Sequence, residues 1–235
     1  MKKKNLLIIS AHADDNVSCA GTVFKLSQEF GFTAYEAVLT NSQLGQSFKN
    51  KKEKKKNLVA RVRFKELKIA SKYLGIKKTF QFGKPDLSLE YSQEITFKLA
   101  KIIRKVKPEV IFLHNPYDAH PDHKTSYKIG LDSIKIAAMG VEKEKLGTPY
   151  RVPIVLCSEG MLPVKTQILV DITKYQKKKE RLFKLYSSQA SPKALKFEKG
   201  LSMVRGYQLK KDKSFYAEAF TLQEEFPILF FEENE

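Results

Sequence analysis

The sequence predicts an α/β protein: a mostly parallel sheet flanked by helices. Three observations carry that prediction. Short apolar runs alternate with amphipathic helical patterns up to about Gly140, the signature of strands joined by crossover helices. The runs are nearly continuous in apolar residues, as expected of strands covered on both faces. The chain has 235 residues, 42% hydrophobic and 29% charged, a globular composition with length for one continuous core. A single domain over 1–235 is expected, since no repeat or linker rich in Pro, Gly or Ser divides it.

The elements follow in order. Asn5–Ser10 is the first predicted strand, and Val17–Phe30 a helix closed by Gly31. Thr33–Thr40 is the second strand. Asn41–Asn57 is a polar loop whose lysines (Lys49, Lys51, Lys52, Lys54, Lys55 and Lys56) are too like-charged for a core. Leu58–Leu74 is a helix capped by Gly75, with Phe64, Leu67, Ser71 and Leu74 on one face. In Tyr91–Lys107, Ile95, Leu99, Ile102, Ile103 and Val106 recur at helical spacing, and Pro108 ends the helix. Val110–Leu113 is a buried strand, Asn115–Asp122 a loop, and His123 to Met139 a helix. Beyond Gly140, Val152–Cys157 and Gln167–Val170 are expected as strands. Ile172–Tyr186, capped by Asp171 or Thr173, and Lys193–Val204 are expected as helices.

The formal net charge is +17, which raises nucleic acid as a partner. Only six of the 43 cations are arginine, however, and lysine contributes point charge more than bidentate recognition. The lysine run has only Phe48 beside it as a stacking group, and no DNA-binding motif spacing is present. A nucleic-acid function is therefore disfavoured. Leu6–Ile9 is too short for a secretory core, and no stretch approaches the roughly 18 apolar residues of a membrane span. Cys19 and Cys157 form no CxxC pair, so the expectation is two reduced thiols in a cytoplasmic protein.

Chemistry concentrates after two strands. The loop after the first strand reads Ala11-His12-Ala13-Asp14-Asp15-Asn16 and lacks the glycines of a dinucleotide-binding turn. The loop after the Val110 strand runs from His114 to His123. All four histidines of the chain (His12, His114, His120 and His123) thus lie beyond the carboxyl ends of two strands, where open parallel sheets bind ligands. Imidazole and carboxylate suit zinc, and a catalytic zinc commonly takes three protein ligands. His12 and Asp15 are three apart, as are His120 and His123, a spacing that converges at a tight turn. Adjacent Asp14 and Asp15 must point differently and take different roles. Bland accounts exist for each loop alone: the aspartates cap a helix, and His123 is a satisfied core histidine. The two loops together favour a metal site.

At these residues the chain resembles the PIG-L/LmbE-like family of zinc-dependent N-deacetylases, which act on N-acetylglucosamine conjugates. The family motif A-H-P-D-D-E is matched by Ala11–Asn16, and H-P-D-H by His120-Pro121-Asp122-His123 without change. Looser family features are Arg63-x-x-Glu66 with Leu74-Gly75, Asp171-Ile172-Thr173, Ser188-Gln189, Arg205-Gly206 and Tyr216–Phe220. The resemblance spans roughly residues 5 to 220 and implies a Rossmann-like fold.

It also implies roles. Zinc, or another divalent metal such as Fe2+, would be held by His12, Asp15 and His123. Asp14 would be the general base, and His120 would stabilise the oxyanion and protonate the leaving amine, held and charged by Asp122. Arg63 would bind substrate, although pairing with Glu66 is an equally good structural account. The implied partner is a small N-acetylated sugar, and the family's oligomers make a homo-oligomer compatible. Three positions depart from the family pattern: Ala13 for proline, Asn16 for glutamate, and Tyr186 for a histidine in an H-x-S-Q segment. Two other readings share these residues: a catalytically weak sugar-binding relative that keeps the metal, and an amide hydrolase for another N-acyl substrate.

Overall fold

The computed structural model describes residues 4–45, 56–223 and 225. The predicted lysine run from Lys49 to Lys55 lies outside the described residues. The strands are β1 (Asn5–Ser10), β2 (Thr33–Thr40), β3 (Ile76–Lys84), β4 (Val110–His114), β5 (Ile154–Ser158), β6 (Ile168–Asp171) and β7 (Ala217–Leu222). They form one sheet in the order β3-β2-β1-β4-β5-β7-β6. Neighbours from β3 through β5 are parallel, and β7 is antiparallel to both β5 and β6. The mostly parallel sheet flanked by helices is as the sequence predicts.

Strand order places the site. The chain builds outward from β1 to β2 and β3, then crosses back to lay β4 on the other side of β1. The carboxyl ends of β1 and β4 therefore flank the switch point, where loops diverge and leave a crevice.

Both faces of the sheet are covered. Leu6 and Ile8 of β1 pack with residues of α1 (Ala20–Phe30), α2 (Lys56–Leu74) and α6 (Gln176–Leu185), while α7 (Pro192–Gln208) joins at the margin. Leu7 and Ile9 point the other way, toward α3 (Gln93–Val106) and α4 (Pro121–Ala138). This two-sided burial explains the nearly continuous apolar runs of β1 and β4. A one-turn helix, α5 (Lys143–Leu146), follows α4. No described helix is long and apolar enough to cross a membrane. Cys19 and Cys157 are free, buried, and on opposite faces of the sheet.

Local chemistry sets the helix ends. The Ser92 hydroxyl accepts the Ile95 N–H at 3.3 Å to start α3, and Lys107 ends it in the left-handed region at φ 51°. Arg104, buried on α3, donates to the carbonyls of Ile136, Ala137 and Met139 at 2.6–3.1 Å, satisfying the open end of α4.

Several boundaries differ from expectation. The stretch expected as helix Val17–Phe30 begins as a 3-10 turn over Asp15–Cys19, because the Val17 N–H closes on the Asp14 carbonyl at 3.1 Å. Phe64 is 51% exposed rather than buried: Arg63, Glu66, Leu67, Ala70 and Leu74 take the inner face, and the two charged residues there serve the site. The helix expected from His123 begins at Pro121, since proline suits the first helical position and His120 caps it. The helix expected over Ile172–Tyr186 starts at Gln176, because the Asp171 carboxylate accepts the Thr173 N–H and forms a turn. Strands β3 and β7 were not expected; β3 is an edge strand bearing three lysines, a composition that masks its pattern.

Gly130 sets how closely α4 approaches the sheet, since a Cβ there would lie 2.6 Å from Leu113 Cδ2. Gly130→Val is expected to cost about 1–3 kcal/mol through overpacking, read from the shift in a urea denaturation curve. An unchanged curve would show that the helix is free to move outward.

Candidate metal centre and cavity

The first loop is fixed by backbone bonds before any metal is considered. The Ala11 carbonyl accepts from Thr40 N–H and Oγ1 at 2.9 and 2.8 Å, and Ala13 N–H donates to Ser42 Oγ at 3.0 Å. The His12 N–H donates to Asp15 Oδ2 at 2.6 Å, folding the aspartate back over its own loop. Asp14 points away, to the Arg63 guanidinium. The two adjacent carboxylates do diverge, and neither Asp14 nor Asp15 is used as the expected helix cap.

His12, Asp15 and His123 meet. His12 Nδ1 lies 3.2 Å from His123 Nε2 and 3.6 Å from Asp15 Oδ2, and His123 Nε2 lies 3.4 Å from Asp15 Oδ1. A tetrahedral ion with bonds of about 2.0–2.1 Å holds neighbouring ligand atoms about 3.3 Å apart, which these distances match. The other nitrogen of each histidine faces a buried carboxylate. Asp122 Oδ2 is 3.1 Å from His12 Nε2, and Asp118 Oδ2 is 3.1 Å from His123 Nδ1. Carboxylates in that place fix the tautomer and aim of metal-binding imidazoles. The residues fit a divalent metal.

Electrostatics follow from this crowding. Burial lowers the basicity of His12, yet Asp15, Asp122 and Asp14 outweigh it and raise the imidazole to about 10. His123 is raised to about 9 against burial by Asp15 and Asp118. Burial opposes ionisation of Asp15, but His123, His114 and His12 hold it well below the usual carboxylate range. His114 goes the other way: burial and neighbouring His123 lower it, and its Nε2 accepts the Ala11 N–H at 2.9 Å. That ring stacks on His123 with centroids 4.1 Å apart.

The structure corrects one expected pairing. The Asp122 carboxylate faces His12 and accepts the Leu87 N–H at 2.8 Å, and it is the Asp122 backbone N–H that donates to His120 Nδ1, at 3.2 Å. With Nδ1 accepting, His120 carries its proton on Nε2, and burial and the neighbouring His12 and His123 lower its basicity. The charges of Asp122 and Asp15 act on His120 in the opposite sense. Its ring centroid lies 4.7 Å from that of His12.

Arg63 is almost fully buried. It bonds Asp14, contacts Glu66 Oε2 at 3.4 Å, and lies over the Tyr186 ring at 5.8 Å. Its Nε is buried without a hydrogen-bond partner among the described residues, and the residue is among those lining the cavity. Glu66 in turn accepts from Ser188 N–H and Oγ, both at 2.7 Å, which explains the pairing of these two loose motifs. A cavity of about 710 Å³ opens over the centre, bordered by His12, Asp14, Arg63, His120, Met161 and Phe197.

Three residues that sequence reasoning passed over also serve the site. His114 packs behind Asp15, and Asp118 orients His123. Asp86 borders the cavity, buried, with Oδ2 accepting the Leu44 N–H and Oδ1 without a hydrogen-bond partner. Each follows the carboxyl end of a strand, which was the available signal; for Asp86 the strand itself had not been assigned.

Residues 7–134 match the family described as PIG-L, GlcNAc-PI de-N-acetylase. The chain belongs to this family. A diacetylchitobiose deacetylase of Thermococcus kodakarensis is 28% identical over 140 residues, 58% of this chain and 51% of that one. This PIG-L chain thus matches about half the length of that relative. The Bacillus anthracis protein named Probable N-acetyl-alpha-D-glucosaminyl L-malate deacetylase 2 is 25% identical over 201 residues, covering 84% and 86% of the two chains. The solved structure of the 4-carboxy-2-hydroxymuconate hydratase of Pseudomonas putida superposes with a TM-score of 0.85 at 22% identity, covering 98% and 100%. That likeness shows the fold alone.

A linkage prediction follows from the two raised histidines. Each stabilises the chelator-treated protein fully below the ordinary imidazole value of 6.5, and loses that contribution as pH rises through about 9 for His123 and 10 for His12. The urea midpoint of the metal-stripped chain should fall between pH 6.5 and 10. The double variant His12→Gln/His123→Gln should flatten the fall, and an equally steep fall in that variant would refute the assignment.

Proposed function

We propose that this chain is a metal-dependent N-deacetylase, working as one domain on a small N-acetylglucosamine-type conjugate. The observation that carries the reading is the spacing of the His12, Asp15 and His123 donor atoms for one ion, beside the Asp14 carboxylate and the His120 imidazole at the cavity. Zinc, or ferrous iron, would supply a Lewis acid that polarises the acetyl carbonyl and acidifies water.

The chain's own groups account for the rest. Asp14, oriented by Arg63, takes the proton of the attacking water, a role worth about 10²–10⁴-fold. His120 Nε2–H donates to the oxyanion that develops on the carbonyl oxygen, worth about 10²–10³-fold by analogy with other oxyanion donors. The proton for the leaving amine passes from Asp14, which holds it once the water has been deprotonated, beside the His120 expected to share that role. Asp122 keeps His12 in position, and Arg63 and Asp86, which line the cavity, border the space for the sugar. The names of the Thermococcus and Bacillus relatives support the amide of an N-acetyl sugar as the bond cleaved.

The test is acetate release from a panel of N-acetylglucosamine conjugates, with metal content measured on the same samples. The expectation is about one metal per chain and turnover of at least one conjugate. Metal without acetate release across the panel would refute the deacetylase reading, and the hydratase substrate class belongs in the panel as a contrast. His123→Ala should lose metal and turnover together. Asp14→Ala should keep the metal and lose about 10²–10⁴-fold in kcat. If Asp14→Ala lost the metal and Asp15→Ala kept it, the division between base and ligand would be reversed.

A further inference from the structure

Behind the first loop lies a buried polar cluster that the proposed chemistry does not use. Glu36, midway along β2, is fully buried. Its partners are two hydroxyls and one amide: Ser10 Oγ at 3.3 Å, Ser71 Oγ at 3.2 Å and Asn16 Nδ2 at 3.0 Å. Asn16 is fully buried as well, and its amide also donates to Tyr186 Oη at 2.9 Å, while Tyr186 Oη lies 3.2 Å from Asn16 Oδ1. Two of the positions that depart from the family motifs, Asn16 and Tyr186, are thus bonded to each other.

We infer that Glu36 is a positioning residue for the metal loop, acting through Asn16 and supplying from β2 the buried carboxyl that a glutamate at position 16 would supply from the loop. The inference rests on the metal reading of His12, Asp15 and His123. Asn16 directly follows Asp15, so anchoring its side chain fixes the turn that aims the Asp15 carboxylate. A glutamate at 16 would reach one carbon further, into the space that Glu36 Oε1 occupies 3.0 Å away. Two carboxyls cannot share that dry space without one being neutralised at a cost. An amide at one position and a carboxyl at the other satisfy each other. The Tyr186 hydroxyl takes up what remains of the amide, so every member has a partner and the network is rigid. The same tyrosine ring underlies Arg63, which holds Asp14, so both aspartates of the loop are tied to this cluster.

The experiment measures zinc affinity by chelator competition on the full chain, beside melting curves of the metal-free proteins. Asn16→Glu and Glu36→Asn should each weaken zinc about 10–100-fold, the range for residues that orient metal ligands. The exchange Asn16→Glu/Glu36→Asn conserves volume and should recover about tenfold or more of that loss, a non-additive pair. Tyr186→Phe keeps the ring and should weaken zinc about tenfold in protein that still melts cooperatively. Folded Tyr186→Phe and Glu36→Asn with parental affinity would overturn the inference, as would an exchange no better than the worse single variant. A parent chain that binds no zinc would instead overturn the metal reading and this inference with it.

Discussion

The site depends on one carboxylate held among three imidazoles. Asp15 has His114 at 3.2 Å, His123 at 3.4 Å and His12 at 3.6 Å, in a place where its side chain is only 12% exposed. An ionised carboxylate so shielded is tolerated only with partners of opposite or adaptable charge. Those partners come from three places in the chain: the first loop, the end of β4 and the first turn of α4. Each of them can reach Asp15 only because β4 lies directly beside β1, and because α4 starts on a histidine cap followed by proline. Sheet order and electrostatics therefore impose the same geometry.

The same pairing continues around the cavity. Asp14 meets Arg63, Asp118 meets His123, Glu159 meets Arg205, and Lys179 stands between Glu198 and Glu218. Buried pairs of this kind add little net stability, because desolvation offsets most of the attraction. Breaking one is costly, however, so each pair fixes the orientation of its members. Glu218 shows the local consequence: its oxygens accept the N–H groups of Gly21 and Thr22 at 2.9 and 2.7 Å, tying the start of α1 to β7. The acids bordering the cavity are rigid features more than a diffuse negative field.

Much of this was legible in the sequence, for a physical reason. Parallel strands buried on both faces are largely apolar, so β1, β2 and β4 stood out even with Glu36 inside β2. The histidines were conspicuous because they are few and follow strand ends. What failed to show were elements whose residues serve two purposes. The inner face of α2 carries Arg63 and Glu66 in place of apolar residues, so its periodicity pointed at Phe64, which is exposed. The lysines of β3 obscured an edge strand, and with it Asp86. His114 was visible but unassigned, since nothing in sequence spacing distinguishes a histidine that holds a metal from one that packs behind the ligand. The Asp122 partner was likewise beyond spacing arguments: its carboxylate turns to His12, a residue 110 positions away.

The surplus of positive charge acquires a narrower meaning from the paired cavity. With the bordering acids other than Asp86 matched to basic partners, Lys193 on the first turn of α7 is a cavity-lining cation with no ion pair among the described residues, and it is exposed. Attraction of an exposed lysine falls off over about 8 Å at physiological ionic strength, which limits what the remaining surface lysines add at the centre. An acidic group on the substrate would gain encounter rate from that field and little orientation. Inside, Arg63 Nε and Asp86 Oδ1 are buried polar atoms without a hydrogen-bond partner among the described residues. Net charge therefore acts on approach, while the buried pairs fix the groups at the centre.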